Sequence, residues 1–384
     1  LNYISIIKLL MSSKSFIPVN SPLIDGNEKK YLAECIESGW ISSEGPFVEK
    51  FERHLADYSK RNHGIAVSSG TAALDVAIEV LGISSGDEVI MPTFTIISCI
   101  HQIIRVGAKP VLIDSDPVTW NMNINQIEEK ITSRTKAIMV VHIYGLPVDL
   151  DPILDLASHY GLKVIEDAAE MHGQRYKDKP CGSFGDISTF SFYPNKNITT
   201  GEGGMILTNN DKLAEDSRSL RNLCFQPNKR FVHERLGWNY RMTNMQAALG
   251  LAQSEQLSQF VERKRIMGSK YTNLLSGQSG IQLPLAKTDY ADNIYWVFGL
   301  ILNDSIDFNA EEAIIKLSNK GIGCRPFFYP MHKQPVLLKM GLFKGESYPV
   351  SEKLYKRGFY IPSGIALNEE QINRVANSVI EVLQ

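Results

Sequence analysis

Lys196 lies in the run Phe190-Ser191-Phe192-Tyr193-Pro194-Asn195-Lys196-Asn197-Ile198-Thr199-Thr200-Gly201-Glu202-Gly203-Gly204, where an apolar, strand-like stretch opens directly into a polar, glycine-dense turn. These surroundings suit a lysine that forms an imine with an aldehyde: it must sit on rigid backbone, away from bulk water, and lose its proton easily. A solvated surface charge is the competing reading for a lysine at a strand exit, so neighbouring segments must decide. In Lys163-Val164-Ile165-Glu166-Asp167-Ala168-Ala169-Glu170 a short β-branched strand ends on an acid. That puts Asp167 at the carboxyl edge of an open α/β sheet, where ligands bind. A carboxylate there can pair with a cofactor's ring nitrogen; Asp before two alanines is also a good helix cap, and that alternative stands. In Ala66-Val67-Ser68-Ser69-Gly70-Thr71-Ala72-Ala73-Leu74 a strand passes through small residues into a helical pattern of Leu74, Ala77, Ile78 and Leu81. The first amides of such a helix and the Thr71 hydroxyl make an anion cradle, with Gly70 letting the anion approach the main chain. An ordinary capped helix is the simpler alternative, and the lack of a Walker-type lysine after the glycine argues against a P-loop.

Pyridoxal 5'-phosphate calls for an imine lysine and a carboxylate beside its pyridine nitrogen. With Gly237-Trp238-Asn239-Tyr240-Arg241-Met242-Thr243-Asn244 added, the chain resembles the sugar aminotransferase family (DegT/DnrJ/EryC1/StrS type) of fold type I pyridoxal phosphate enzymes. The resemblance runs from about Phe16 to the C-terminus. Within the family it is nearest to the GDP-perosamine synthase group, through Trp40-Ile41-Ser42-Ser43, the segment from Ile198 to Met205, and Arg325-Pro326-Phe327-Phe328-Tyr329-Pro330-Met331-His332. It implies Lys196 as the imine lysine, Asp167 on the pyridine nitrogen and Glu170 near the ring's phenolic oxygen. It also implies Gly70, Thr71 and Ser191 on the phosphate, and Asn239 reaching into the neighbouring subunit's site, hence a homodimer with shared sites. Many relatives carry an aromatic residue where this chain has Ile96; an aliphatic face still covers a ring by apolar contact, with weaker stacking.

The implied reaction is transfer of an amino group from L-glutamate to a nucleotide-linked 4-keto-6-deoxyhexose, for glycan or polysaccharide biosynthesis. Arg241 is a candidate for substrate contact, because a guanidinium matches a diphosphate in two-point geometry. His332 is a second candidate, with a hydrogen-bonded structural histidine as its alternative. Trp296, in an apolar stretch, reads as core. The competing functions are amination of a UDP- or dTDP-linked sugar at carbon 3 or 4, cofactor-dependent sugar dehydration, and a non-catalytic cofactor-sensing module. Known dehydratases of this group carry histidine where this chain has Lys196, and a sensor needs a DNA-binding domain for which the residues before Phe16 are too few.

Short apolar runs alternate with helical patterns across residues 65–208, at 88–91, 110–113, 137–141, 163–165, 187–192 and 205–208, which reads as βαβ units around a mostly parallel sheet. The alternation predicts an α/β fold, and the resemblance implies a fold type I transferase. Its large domain (16–260) carries a mostly parallel seven-stranded sheet flanked by helices, and a smaller α+β domain (261–384) follows. One long helical pattern over 243–271 links the two. The second part mixes strand-like 295–302 with helices near 310–320 and 369–383.

The balance of 40 Lys and Arg against 42 Asp and Glu gives a net charge of −2, which argues against a broad nucleic-acid surface but not a local diphosphate pocket. Five scattered cysteines, without a Cys-x-x-Cys pair, fit a reduced, cytoplasmic setting. The histidines show no metal-binding spacing, so no metal is expected. Residues 1–15 read as an extension; Lys8 interrupts the apolar start, which argues against a signal peptide. No run approaches the ~18 apolar residues of a membrane span.

Overall fold

The computed structural model describes residues 16–226 and 228–384. In chain order its elements are α1 (Glu28–Ser38), α2 (Pro46–Tyr58), β1 (His63–Val67), α3 (Gly70–Val80), β2 (Glu88–Pro92), α4 (Ser98–Arg105), β3 (Lys109–Ile113), β4 (Thr135–Val141), α5 (Asp151–Tyr160) and β5 (Lys163–Asp167). There follow β6 (Arg175–Tyr176), β7 (Lys179–Pro180), β8 (Ile187–Ser191), β9 (Gly204–Thr208), α6 (Asp211–Arg221), α7 (Asn244–Glu255) and α8 (Leu257–Leu275). The remainder comprises β10 (Ile281–Gln282), β11 (Phe298–Leu302), α9 (Ala310–Asn319), β12 (Arg325–Pro326), α10 (Pro335–Lys339), α11 (Pro349–Arg357), β13 (Gly358–Ile361) and α12 (Glu369–Leu383).

The main sheet has seven strands in the order β1-β9-β8-β5-β4-β2-β3. Only β9 runs against the rest, pairing antiparallel with both β1 and β8, while β8, β5, β4, β2 and β3 are parallel. Strands covered on both faces read as continuous apolar runs rather than alternating ones. That is why Ile138, Met139 and Val140 of β4 are all fully buried. Two apolar clusters form the cores on the sheet's two faces: Ile65, Met91 and Met139 belong to one, Ala66, Ile90 and Ile138 to the other.

A second, antiparallel sheet has the order β10-β11-β13-β12, and α8, α9 and α12 bury Tyr271, Leu317 and Val375 in a third cluster beside it. Ile17 joins this third cluster, its amide bonded to the Gly321 carbonyl. The helices at 310–319 and 369–383 match the expected positions, each opened by a capping box, Asn309 with Glu312 and Asn368 with Gln371.

Two expectations change. The helical pattern across 243–271 is divided into α7 and α8 at Gln256, whose backbone (φ −100°, ψ 5°) leaves the helical basin. No glycine or proline marks the break; α7 packs on α1 and α2 while α8 packs on α12, and Gln256 absorbs the change of direction. The strand-like 295–302 is a strand only from Phe298, because Tyr295 takes a left-handed conformation (φ 50°) that turns the chain just before it.

Candidate active site

The parallel strands present their carboxyl ends to one edge of the sheet, and a cavity of about 370 Å³ opens there. Its walls come from the segments that follow β1 (Ser69, Gly70, Thr71), β2 (Thr95, Ile96, Ser98), β4 (His142), β5 (Ala169, Glu170) and β8 (Tyr193, Asn195, Lys196). Asp167, Thr189 and Ser191 line it from the strands themselves, and Trp296, Pro326, Phe328 and Tyr360 come from the second sheet's side.

Lys196 sits in the loop that turns β8 back into its antiparallel neighbour β9. Its amide donates to the Tyr193 carbonyl (2.9 Å), and its side chain is 11% exposed. Nζ stands 3.7 Å from Glu170 Oε1 and 4.0 Å from the centre of the Trp296 ring. The indole N–H donates to the Asn195 carbonyl at 2.8 Å, which locks the ring beside the lysine. The apolar stretch around Trp296 predicts a core residue; it is buried, and it also walls the cavity. An apolar context could not separate these roles, because the left-handed Tyr295 decides where the indole points.

Asp167 is buried at the end of β5. One carboxylate oxygen accepts from the Ala169 amide (3.1 Å) and the other from the Cys99 thiol (3.3 Å). The helix-cap alternative does not hold: the chain enters a turn after Asp167 rather than a helix. Glu170 Oε2 accepts from the Tyr144 amide at 2.7 Å. Burial raises the pKa of Asp167, with the Ala169 amide, Cys99 and Lys196 opposing it. Burial also pushes the Glu170 carboxyl up and the Lys196 ammonium down, while their mutual attraction resists both shifts.

The cradle at the start of α3 is built by Ser69, whose Oγ accepts from the Ala72 amide (3.1 Å). This cap leaves the Gly70 and Thr71 amides at the helix's positive end facing the cavity. Thr71 Oγ1 and Ser98 Oγ lie 2.8 Å apart. A Cβ on Gly70 would stand 2.7 Å from Ser191 Cβ, so glycine keeps the cradle open. Ser98 and Thr95 were not singled out in the sequence, although the same carboxyl-edge rule applies to the residues after β2.

The structure thus brings Gly70, Thr71, Asp167, Glu170, Ser191 and Lys196 together. It does not bring Asn239, Arg241 or His332 to this cavity. Residues 239–241 are held at the end of β1, where the Ser68 amide donates to the Tyr240 carbonyl (2.7 Å), and Asn239 is exposed. Arg241 donates to Asn222 Oδ1 (2.7 Å) and lines a separate cleft of about 190 Å³ with Ser43, Arg218 and Arg221. His332, expected to touch substrate, is a buried latch instead. Its Nδ1 meets Thr93 Oγ1 at 2.8 Å and its Nε2 meets Glu352 at 2.9 Å, so both ring nitrogens are occupied.

Among the described residues, His142, Glu166 and Cys181 have ligand-type atoms within 4.8 Å of one another. Glu166 and His142 are committed to the fold: Glu166 accepts from the Gly182 and Phe184 amides, and His142 Nδ1 from the Val148 amide. Hydrogen bonding of this kind describes a structural network.

A family model described as the DegT/DnrJ/EryC1/StrS aminotransferase family matches residues 22–380. The GDP-perosamine synthase of Escherichia coli O157:H7 is 42% identical over 366 residues, 95% of this chain and 98% of that protein. The GDP-perosamine synthase of Caulobacter vibrioides is 42% identical over 375 residues, 97% of this chain and 100% of that one. Among solved structures, the aminotransferase TlmJ from Streptoalloteichus hindustanus superposes with a TM-score of 0.88 at 27% identity, over 96% of this chain and 98% of its own.

Proposed function

Because this chain belongs to the DegT/DnrJ/EryC1/StrS aminotransferase family, we propose that it transfers the amino group of L-glutamate to the ketone of a GDP-linked 4-keto-6-deoxyhexose, using pyridoxal 5'-phosphate. One observation carries the reading at the site: a single ammonium, Lys196, stands among two buried carboxylates, Asp167 and Glu170, beside a helix N-terminus. Buried charges need partners. His172, packed near Phe190 and Phe192, supplies none, because burial pushes its pKa down to about 3. A protonated pyridine nitrogen beside Asp167 restores the balance. The start of α3 suits a phosphate, and the buried Thr189 Oγ1, without a protein partner, lines the cavity at the strand position paired with Asp167. The residues present therefore fit the cofactor.

When bound, pyridoxal phosphate supplies an aldehyde for the imine and an electron-withdrawing ring. Asp167 would keep the proton on the ring nitrogen. Gly70, Thr71 and Ser191 would hold the phosphate, and Glu170 would serve the phenolic oxygen. The Lys196 amine would serve as the base that takes and returns the donor's alpha-carbon proton; burial, which favours its neutral form, suits it to that role. Trp296 and Phe328 keep water from the reacting atoms. Two chains assemble with the exposed Asn239, and Arg241, completing the partner's cavity, the guanidinium taking the nucleotide diphosphate.

The GDP-perosamine synthases at 42% identity over nearly the full chain support the sugar and its guanine nucleotide. The five cysteines are free thiols, in keeping with a cytoplasmic setting. No helix among the described residues is long and apolar enough to cross a membrane. The test is the first half-reaction: the yellow holoenzyme mixed with L-glutamate should lose its visible band and release one 2-oxoglutarate per site. Retention of the band at saturating glutamate, with cofactor bound, would remove glutamate as the donor.

A further inference from the structure

Lys264 projects from the middle of α8 into the interior with 1% exposure. Its Nζ donates to the main-chain carbonyls of Trp296 (2.7 Å) and Ser363 (2.5 Å), and no carboxylate pairs with it among the described residues. Enclosing an amine without a counter-charge is costly, and burial alone pushes its pKa down to about 7. An apolar side chain of similar length would avoid that cost and would leave two buried carbonyls unmet.

Trp296, which lines the cavity, precedes β11, and Ser363 follows the neighbouring strand β13. Ser363 Oγ accepts from the Phe298 amide (2.8 Å), and Tyr271, one helical face along α8, donates its hydroxyl to the Pro362 carbonyl (2.9 Å). On the other side Tyr295 is left-handed and its amide is held by Asn293 Oδ1 (2.6 Å). Trp296 thus sends its carbonyl inward to Lys264 and its indole outward over Lys196. We infer that Lys264 is a positioning residue of the active site: by holding the Trp296 carbonyl it fixes the indole face 4.0 Å from the Lys196 amine. It touches neither substrate nor cofactor. The inference rests on the proposed role of Lys196 and extends it to a residue on a different helix.

An indole face attracts a cation, so the protonated form of the Lys196 nitrogen is favoured while Trp296 stays in place. Displacing the ring lowers the pH at which that nitrogen loses its proton, which is read from the visible absorbance of the holoenzyme without any turnover. The experiment titrates wild type, Lys264→Met, Trp296→Leu and the double variant from acid to alkaline pH. Trp296→Leu is expected to move the midpoint down by about half a pH unit. Lys264→Met should move it in the same direction, and the double variant should add nothing further, because both changes remove one interaction.

A Lys264→Met protein whose midpoint matches wild type while Trp296→Leu shifts it would overturn the inference, as would shifts that add in the double variant. In either case Lys264 is only a structural tie. If the methionine variant does not fold, Lys264→Gln, which retains N–H donors on a shorter stem, takes its place, with the same midpoint comparison deciding. A wild-type protein that takes up no pyridoxal phosphate would instead fail the functional reading, a result distinct from a normally titrating wild type with an indifferent Lys264.

Discussion

Replacing Gly70 by alanine adds one methyl group at the mouth of the proposed phosphate cradle, and the structure sets its consequences. The new Cβ would lie 2.7 Å from Ser191 Cβ and 3.1 Å from Ser191 Oγ, well inside the ~3.5–4.0 Å of favourable carbon contact. Gly70 begins α3 without a positive φ, so alanine meets no backbone strain and gains roughly 0.4–1 kcal/mol by restricting the unfolded chain. Overpacking opposes this by about 1–3 kcal/mol, which leaves the cofactor-free protein destabilised by between about 0 and 2.6 kcal/mol. Binding suffers more. To relieve the contact, Ser191 must move away from the start of α3, and one phosphate can no longer bond both. Losing one charge-assisted hydrogen bond is worth about 1.5–3 kcal/mol, a rise in Kd of roughly 10- to 100-fold. Titrating the apo-protein with pyridoxal phosphate by absorbance, alongside thermal melts of the apo form, separates the two effects. An unchanged Kd with an unchanged Tm would show that the cradle is not where the phosphate sits.

Three further outcomes are expected. Asp167→Asn keeps the shape but removes the charge that holds the ring nitrogen protonated, so stopped-flow mixing with glutamate should show the half-reaction slowed far more than cofactor affinity falls; wild-type rates at saturating cofactor would make Asp167 a turn-forming residue only. Lys264, whose folded pKa of about 7 lies below the unfolded value of 10.5, binds fewer protons folded than unfolded between those values. Stability therefore rises with pH across that window, by up to ~1.4 kcal/mol per unit, and urea melts of Lys264→Met should lack this slope relative to wild type. Mixing inactive Lys196→Ala chains with an inactive Asn239/Arg241 double variant should restore activity on subunit exchange, since one mixed site keeps the lysine of one chain and the polar pair of the other. Failure to complement despite demonstrated exchange would place Asn239 and Arg241 in their own chain's cavity.

The strands of the main sheet were legible because central parallel strands, buried on both faces, must be continuous β-branched and apolar runs, as Ala137 to Val141 are. Lys196, Asp167 and the Gly70 turn were legible for a related reason: each follows such a run, and the carboxyl edge of a parallel sheet is where the chain can spare polar groups. Other features depend on residues far apart in sequence. His332 stands as a candidate for substrate contact until Thr93 and Glu352 are seen to enclose it. Lys264 carries no signal of its own in the sequence, and only the carbonyls of Trp296 and Ser363 reveal that it faces inward. Trp296 could not be separated from the core without the left-handed Tyr295, and the break at Gln256 carries no helix-breaking residue to announce it.

The complete reaction decides whether this chain aminates a nucleotide-linked keto sugar. The purified protein, pyridoxal phosphate and L-glutamate are incubated with a GDP-linked 4-keto-6-deoxyhexose, with Lys196→Ala as the control, and the products are identified by mass spectrometry and NMR. Wild type is predicted to give a GDP-linked 4-amino-4,6-dideoxyhexose and an equal amount of 2-oxoglutarate, and the control neither. A deoxygenated sugar without amination, or no conversion by a protein with its cofactor bound to Lys196, would contradict it.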